Sequence, residues 1–260
     1  MAPATLSAMA LPQSPSAPPL DQVALGNPSF VWRFGQDRRL ALVDRCATLS
    51  GARVLDLGCG IGTYVRHIAE VAALAAGVDI DRARVARGAA SGVSNLSLAV
   101  AESLPFRDGA FDVVLLNEVI EHVRDDRATL REALRVVRPG GQVVVFAPNR
   151  GYPFETHGVY LGKRYVFGNI PLVNWLPDPV RNRLVPHARV YTSAGIRRLA
   201  RGLPARLVVH SYVYPGFDNV HARWPRLARM LRAACYRAEH TPLRCMGLSH
   251  FLVLRRTEAR

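Results

Sequence analysis

The stretch VLDLGCGIGTY, residues 54–64, decides the fold of this 260-residue chain. An apolar run containing Asp56 leads into Gly58, Gly60 and Gly62, which is typical of a buried strand that turns sharply into a helix. Glycine tolerates a positive φ and places no Cβ between the backbone and a ligand. The following helix N-terminus offers free N–H groups and a partial positive charge. The stretch therefore predicts a site for a nucleotide-like cofactor.

The spacing of the glycines argues against a dinucleotide. A G-x-G-x-x-G fingerprint would have its third glycine at position 63, where this chain has Thr63. Asp56 would repel a pyrophosphate, but it suits the ammonium group of an amino-acid moiety. With four later stretches, the motif resembles the class I S-adenosylmethionine-dependent methyltransferases, most closely the type-11 group. The resemblance implies S-adenosylmethionine as the cofactor and methyl transfer as the reaction.

Two of the later stretches concern the nucleoside of the cofactor. AAGVDID, residues 75–81, predicts a second strand that ends at Asp79, where a carboxylate can accept both ribose hydroxyls. A simple helix N-cap is the alternative for Asp79. AVAESLPF, residues 99–106, resembles the third strand and adenine loop of the family. It departs from the pattern because Val100 stands where many relatives have aspartate, so we expect Glu102 to contact the adenine amino group.

The other two stretches extend the resemblance to the middle of the sheet. FDVVLLNEVIEHV, residues 111–123, resembles the fourth strand, whose end would place Asn117, Glu118 and His122 beneath the sulfonium. RPGGQVVVFAPN, residues 138–149, resembles the turn and fifth strand. The residues expected around the cofactor are Arg33, Asp56, Gly58, Cys59, Gly60, Gly62, Asp79, Ile80, Glu102, Ser103, Leu104, Asn117 and His122.

Hydrophobic periodicity supports an α/β fold without the resemblance. Residues 54–57, 74–78, 113–116 and 143–147 are short apolar runs that do not alternate, as in parallel strands buried on both faces. Segments between them have helical spacing, which predicts a doubly wound, Rossmann-like sheet with its ligand at the carboxyl ends of the strands. The resemblance implies seven strands in the order 3-2-1-4-5-7-6, with the last strand antiparallel and an insertion after strand five.

Composition sets the domain organisation. Residues 1–28 are rich in Ala, Pro and Ser and predict a disordered tail, and residues 29–260 predict one methyltransferase domain. The cofactor half spans about residues 30–150, and the insertion spans residues 150–192. No apolar run has the length of a membrane span, and the four cysteines form no C-x-x-C pair. We therefore expect a cytoplasmic protein with reduced thiols.

A helix is expected just before the first strand. Apolar residues recur at helical spacing between residues 36 and 48, so this helix should cover the cofactor. Arg33 immediately precedes it, and its guanidinium could pair with the cofactor carboxylate. A surface charge beside a core aromatic residue is the equally weighted alternative.

Positive charge is concentrated in the last third of the chain. Residues 181–260 hold 16 arginines and three acids, a net charge of +13 out of +14 for the whole chain. This excess predicts an acidic partner, which could be a substrate, an anionic membrane or nucleic acid. Within it, residues 223–239 predict an amphipathic helix whose stripe contains Trp224, Leu227, Leu231, Ala234 and Cys235. We expect this stripe to pack on its own domain, and an interfacial membrane anchor is the alternative.

The insertion is too long for a plain connection and is dense in aromatic residues, so we expect it to form an acceptor pocket. A hydroxyl acceptor needs a base, for which His157 is the first candidate, His187 the second and His122 the third; each could instead be structural. No metal site is expected, because no carboxylate–histidine cluster is evident.

The preferred hypothesis is methyl transfer to oxygen of a small or lipid-linked acidic acceptor, which Arg189 could grip. The alternatives are an RNA methyltransferase and a non-catalytic adapter that uses the same fold at an anionic surface. Methylation of the exocyclic amino group of adenine in nucleic acid is disfavoured because no N/D-P-P-Y/F motif follows strand four.

Overall fold

Four apolar stretches form the parallel centre of a seven-stranded sheet, as their lack of alternation predicts. They are β1 (Arg53–Leu57), β2 (Leu74–Asp79), β4 (Phe111–Asn117) and β5 (Val137–Pro148). The computed structural model describes residues 33–258. The tail expected for residues 1–28 lies outside the described residues.

The strand order of the sheet confirms the expected topology. The remaining strands are β3 (Leu96–Leu98), β10 (Ala205–Val213) and β11 (Ser249–Arg256), and the order is β3-β2-β1-β4-β5-β11-β10. The last strand in the chain, β11, runs antiparallel to both β5 and β10. The third strand differs from the prediction, because it ends at Leu98 and residues 99–106 form a loop. A single β-bridge between Val100 and Ser103 closes this loop.

Helices cover both faces of the sheet. They are α1 (Phe34–Ala47), α2 (Thr63–Ile68), α3 (Arg82–Ala90), α4 (Asp126–Val136), α5 (Asp178–Leu184), α6 (Ser193–Leu199), α7 (Asp218–Arg223) and α8 (Pro225–Ala238). Alternate residues of β4 face opposite layers: Val113 and Leu115 pack with α1 and α2, and Val114 and Leu116 pack with α4 and α6. The sheet is thus buried on both faces, which a doubly wound fold requires.

The insertion after β5 folds around a small core of its own. It contains β6 (Phe154–Glu155), β7 (Val159–Leu161), β8 (Arg164–Val166), β9 (Ile170–Pro171), a 3₁₀ turn (Val173–Trp175) and α5. Val159, Val173, Val185 and Ala188 are buried together in this core. The insertion is therefore a packed unit, and its histidines are held on ordered backbone.

Helix α8 packs on the domain by a face that its sequence does not indicate. Ala228 and Arg232 are its buried residues. The Arg232 guanidinium lies 3.9 Å from the ring centre of Phe34, and its Nε donates to the Gly216 carbonyl. Trp224 and Leu227 of the expected packing stripe are 57% and 43% exposed, and Ala234 is exposed as well, so that prediction is wrong for these three residues. None of the helices within residues 33–258 is both long and apolar enough to cross a bilayer.

Helix α3 approaches the glycine-rich loop closely at Gly88. A Cβ at this position would lie 2.6 Å from the carbonyl oxygen of Ile61 and 2.6 Å from Cδ1 of Leu96. The Ile61 contact is with backbone, which cannot rotate away. The absence of a side chain at Gly88 thus sets the distance between α3 and the loop.

We predict that Gly88→Ala lowers the free energy of unfolding by about 1–2 kcal/mol. Overpacking costs about 1–3 kcal/mol, and the better helix propensity of alanine returns only about 1 kcal/mol. Urea denaturation measures the change. Ala89→Gly, at the neighbouring exposed position, is the control that reports propensity alone. A Gly88→Ala variant as stable as the parent would contradict the tight packing of α3 on the loop.

Candidate functional site

The glycine-rich loop between β1 and α2 is fastened to the end of β2. The N–H groups of Gly58 and Cys59 both donate to the Val78 carbonyl, at 2.7 Å and 3.0 Å. Gly60 has a φ of +58°, and a Cβ built there would meet nothing within 4 Å. Gly60 therefore needs glycine for its conformation and also faces open space. A ligand can approach its backbone directly.

Asp56 and Asp79 bring two buried carboxylates to the same edge of the sheet. Asp79 is 6% exposed, and its oxygens accept from the N–H groups of Gly60 (2.7 Å) and Asp81 (2.9 Å). Each carboxylate oxygen has a second lone pair, so Asp79 can still accept from a ligand hydroxyl. Asp56 is 3% exposed, and burial together with the nearby charge of Asp79 raises its pKa to about 7. A cationic ligand group beside Asp56 would reverse this effect.

Apolar side chains flank the carboxylates. Ile80 and Val100 are 47% and 37% exposed, and each lies just beyond an end of the paired strands β2 and β3. Such exposed apolar residues at strand ends suit the faces of a flat ring. The position where relatives carry aspartate is therefore apolar in this chain.

Glu102 serves the structure of the adenine loop. Its Oε1 accepts from the N–H groups of Arg124 (2.9 Å) and Asp125 (3.2 Å). Leu104 is buried, and its N–H donates to Glu132; Ser103 is exposed. These contacts fix the loop around Leu104 and engage one of the two carboxylate oxygens of Glu102. The contact of Glu102 with an adenine amino group stays a prediction.

Arg39 of α1, which the sequence did not single out, ties this helix to the end of β4. Its guanidinium donates to Asn117 Oδ1 (2.6 Å) and Ser249 Oγ (2.8 Å), and it lies 2.8 Å from Glu118 Oε1. Burial alone would raise the pKa of Glu118, but Arg39 and the Ser249 hydroxyl outweigh it and lower the pKa. Three elements thus meet at one ion pair.

Arg33 was expected near the cofactor carboxylate, but its guanidinium is exposed and donates to Asn219 Oδ1 at 3.0 Å. Six residues further along the chain, Arg39 of α1 contacts Asn117, one of the residues expected around the cofactor. That α1 covers the cofactor stays a prediction. Arg39 was missed because its partners Asn117 and Ser249 are distant in sequence.

Cys59 is a structural part of the loop. It is 8% exposed, and burial raises the pKa of its thiol well above the ordinary value. The side chain points toward the backbone of β2, since a Cβ at Gly77 would lie 2.7 Å from its sulfur. The thiol is therefore protonated at neutral pH. The expected place of Cys59 beside the cofactor stays a prediction.

The insertion brings His157 next to the segment that follows β4. The imidazole Nε2 atoms of His122 and His157 each lie 3.8 Å from Glu121 Oε1. Glu121 is 2% exposed, and its two carboxylate oxygens have no hydrogen-bond partner among residues 33–258. Burial and the charge of Glu118 raise the pKa of Glu121 well above its usual value. We call Glu121, His122 and His157 the acceptor cluster.

Both histidines of the acceptor cluster are oriented by an acceptor at Nδ1. His157 Nδ1 donates to Glu155 Oε1 at 2.9 Å, and His122 Nδ1 donates to the carbonyl of His187 at 2.9 Å. In the neutral rings, the lone pair is therefore on Nε2 and faces Glu121. Burial, followed by the proximity of His157, lowers the pKa of His122 to about 4, so this ring is neutral at physiological pH.

The acceptor cluster also has the donor set of a metal site. One ligand atom from each of its residues lies within 4.8 Å of the others. Imidazole nitrogen and carboxylate oxygen suit zinc and related ions, and a hydrogen-bonded Nδ1 is usual for a metal-bound histidine. No metal site was expected from the sequence, because His157 lies 35 positions beyond His122 and only the fold brings the two rings together.

His187 supports the cluster from behind. Its Nε2 contacts the carbonyl oxygen of His157 at 3.0 Å, and its ring packs against Tyr160 and Tyr165. Burial lowers the pKa of His187. The second base candidate therefore contacts the backbone of the first candidate, His157.

Comparison with known proteins shows the family to which the chain belongs. The family model described as a methyltransferase domain matches residues 55–145. The demethylmenaquinone methyltransferase of Beutenbergia cavernae is 31% identical over 194 residues, which cover 67% of this chain and 81% of that protein. The chain belongs to the class I S-adenosylmethionine-dependent methyltransferases, in the type-11 group.

A second relative is matched over a smaller part of its own length. The ubiquinone biosynthesis O-methyltransferase of Aromatoleum aromaticum is 35% identical over 145 residues, or 51% of this chain and 59% of that protein. The chain thus spans less than two thirds of this relative. A methyltransferase structure from Mesorhizobium loti superposes with a TM-score of 0.57 over 84% of this chain and 96% of its own, at 20% identity. This likeness supports the fold.

The site fits S-adenosylmethionine, the cofactor of the family. Asp56 suits its ammonium group, Asp79 its ribose hydroxyls, and Ile80 with Val100 its adenine faces. Gly60 leaves the backbone open to it, with nothing within 4 Å of its missing Cβ. The residues at the carboxyl ends of β1 and β2 thus fit the cofactor, and this is the edge at which a doubly wound sheet binds its ligand.

We predict that S-adenosylhomocysteine binds the methyltransferase more tightly as the pH rises from about 5.5 to about 7.5. The pKa of Asp56 is raised to about 7 in the free protein, so its carboxylate forms across this window and then attracts the ammonium group. The dissociation constant should fall by about tenfold. Calorimetry at several pH values measures it.

Asp56→Asn should bind weakly and show no such pH dependence, while Glu70→Gln, at an exposed position on the surface, should keep the full dependence. Affinity that is independent of pH in the parent, or pH dependence that persists in Asp56→Asn, would refute the assignment of Asp56.

Proposed function

We propose that this chain transfers the methyl group of S-adenosylmethionine to a hydroxyl oxygen on the ring of a lipid-linked acceptor of the quinone class. The names of its relatives support this class, since one is a ubiquinone biosynthesis O-methyltransferase and another a demethylmenaquinone methyltransferase. The observation that carries the proposal is the acceptor cluster at the end of β4, where His157 Nε2 lies 3.8 Å from a buried carboxylate that has no hydrogen-bond partner in the part of the chain that the structure describes.

His157 is the general base in this proposal, and Glu155 holds it in the right tautomer. Glu155 is 1% exposed and forms a buried ion pair with Arg181 at 2.7 Å. Burial would raise the pKa of Glu155, but the contacts with His157 and Arg181 outweigh this and lower it to about 2. Glu155 therefore stays ionised, fixes the Nδ1 proton of His157 and stabilises the imidazolium that forms when Nε2 accepts a proton.

The chemistry needs one proton transfer and an in-line geometry. When bound, S-adenosylmethionine supplies an electrophilic methyl group on a sulfonium, which leaves as a neutral thioether. His157 Nε2 takes the proton of the acceptor hydroxyl while the oxygen forms its bond to the methyl carbon. Oxygen is the acceptor atom in this proposal, because a hydroxyl must lose its proton as it attacks the methyl group and His157 can accept that proton. A positioned base contributes about 10²–10⁴-fold to such a step.

Arg189 does not fit the expected role of gripping an acidic acceptor. Its guanidinium donates to the backbone carbonyls of Val123 (2.6 Å) and Arg124 (2.9 Å), so it braces the segment that follows β4. Arg181 likewise forms its ion pair with Glu155 and is not available to an acceptor. The proposed acceptor therefore needs no acidic group in the pocket.

We predict that His157→Gln lowers kcat by about 100-fold or more, while S-adenosylhomocysteine binding is unchanged. A soluble catechol and a short-chain demethylmenaquinol serve as acceptors, and mass spectrometry of the product distinguishes a methoxy group from a ring methyl. Glu155→Gln should lower kcat by a smaller factor, since it removes the orientation of the base but not the base. His240→Ala, at an exposed histidine, is the matched control.

Treatment with a chelator distinguishes a general base from a metal site. Turnover that survives exhaustive EDTA treatment supports His157 as the group that accepts the proton of the acceptor hydroxyl. Turnover that EDTA abolishes and Zn²⁺ or Mn²⁺ restores would instead show that the acceptor cluster works as a metal site. Full activity of His157→Gln, with cofactor affinity and thermal stability equal to the parent, would remove both roles.

A further inference from the structure

The segment between β10 and β11 carries exposed apolar side chains on its outer side. Trp224, Leu227 and Met230 are 57%, 43% and 70% exposed, and Leu243 of the following 3₁₀ turn is 57% exposed. Leu227 and Met230 of α8 and Trp224, which immediately precedes the helix, are spaced by three residues, which places them along one side of it. The buried side is occupied by Ala228 and Arg232, so these apolar residues point away from the domain.

Arginines surround the apolar residues, and the acids of the segment do not. Five arginines of residues 218–246 are exposed, namely Arg223, Arg226, Arg229, Arg237 and Arg244. The segment has two acids, and both face the domain: Asp218 accepts from the N–H of Gly35, and Glu239 binds Arg38 at 2.5 Å. The outer side of the segment therefore presents apolar surface and positive charge without a compensating carboxylate from the segment itself.

We propose that this outer side, formed by Trp224, Leu227, Met230, Leu243 and the five exposed arginines, docks onto an anionic phospholipid bilayer. We call it the docking surface. Apolar side chains enter the boundary between headgroups and acyl chains, and arginines next to them bind lipid phosphates. A nucleic acid would use the arginines but would leave Leu227 and Met230 in water. Exposed apolar side chains next to exposed arginines therefore favour an anionic bilayer over a nucleic acid or another polyanion.

The docking surface is joined to the catalytic end of the sheet through α1. The ring of Phe34 stacks on that of Tyr236 in α8 at 6.5 Å, and Arg38 pairs with Glu239. One residue further along α1, Arg39 contacts Asn117 and Glu118 at the end of β4. A bilayer bound at α8 would therefore contact the helix that packs on α1, and α1 contacts the end of β4. The docking proposal rests on the lipid-linked acceptor proposed above, because such an acceptor resides in the bilayer.

Vesicle co-sedimentation of the full chain tests the docking surface. Vesicles of phosphatidylcholine, with or without a third of phosphatidylglycerol, are compared at low and high salt. We expect binding to the anionic vesicles and none to the neutral ones. Arg226→Gln with Arg229→Gln should weaken it by about 25-fold, because each arginine near an anionic membrane contributes about fivefold. Leu227→Ser with Met230→Ser should weaken it to a similar extent by removing the apolar anchor.

Matched controls carry the same chemical changes elsewhere on the surface. Arg201→Gln with Arg206→Gln removes two exposed arginines, and Leu161→Ser with Val180→Ser removes two exposed apolar side chains. Both controls should bind the vesicles like the parent. Equal loss in the controls, or no binding to anionic vesicles by the parent, would overturn the proposal. So would vesicle binding that the arginine variant loses and the Leu227/Met230 variant keeps, because a general polyanion site behaves in this way.

Turnover distinguishes failure of the docking surface from failure of the proposed function. The docking variants should methylate a soluble acceptor like the parent and lose activity only toward an acceptor embedded in anionic vesicles. Vesicle binding without methylation of any quinone-class acceptor would reject the function and keep the surface. Methylation of the embedded acceptor at the parental rate by both docking variants would reject the surface and keep the function.

Discussion

The parallel register of three strands is the constraint on which the site depends. In β1, Leu57 pairs with Val78 of β2 and with Leu116 of β4. The next residue of each strand therefore comes at the same level, which aligns Gly58, Asp79 and Asn117 at one edge of the sheet. A shift of one residue would turn each of these groups to the opposite face. The buried apolar faces of the strands fix the register, so the core also determines the geometry of the cofactor site.

Several buried carboxylates lie close to this edge, which is electrostatically unfavourable, and they differ in whether a cation pairs with them. Glu118 is neutralised by Arg39, and Glu155 is neutralised by Arg181 and oriented on His157. Within residues 33–258, neither Asp56 nor Glu121 forms an ion pair with an arginine or a lysine, and the pKa of each rises. Buried acids with strongly shifted pKa values concentrate at functional sites. These two acids therefore support the cofactor and acceptor sites proposed for this edge of the sheet.

Local patterns predicted the parts of the structure that depend on local physics. The glycine loop, the strands and the topology follow from spacing and apolar runs, and the family resemblance supplied the strand order. The acceptor cluster could not be found this way, since His157 reaches Glu121 only because the insertion folds back on the end of β4. The orientation of α8 was wrong for a different reason. Periodicity identifies the apolar stripe of a helix, but here Arg232 is buried by Phe34 and a carbonyl, which turns that stripe outward.

The bond from the Gly60 N–H to Asp79 gives the cofactor loop a defined shape in the free protein. A loop that is already ordered loses little conformational entropy when a ligand arrives, so more of the contact energy appears as affinity. The same bond engages one lone pair of the carboxylate expected at the ribose and leaves another available. A nucleoside bound at this edge would therefore meet a loop that is already ordered and a carboxylate that the backbone has already oriented.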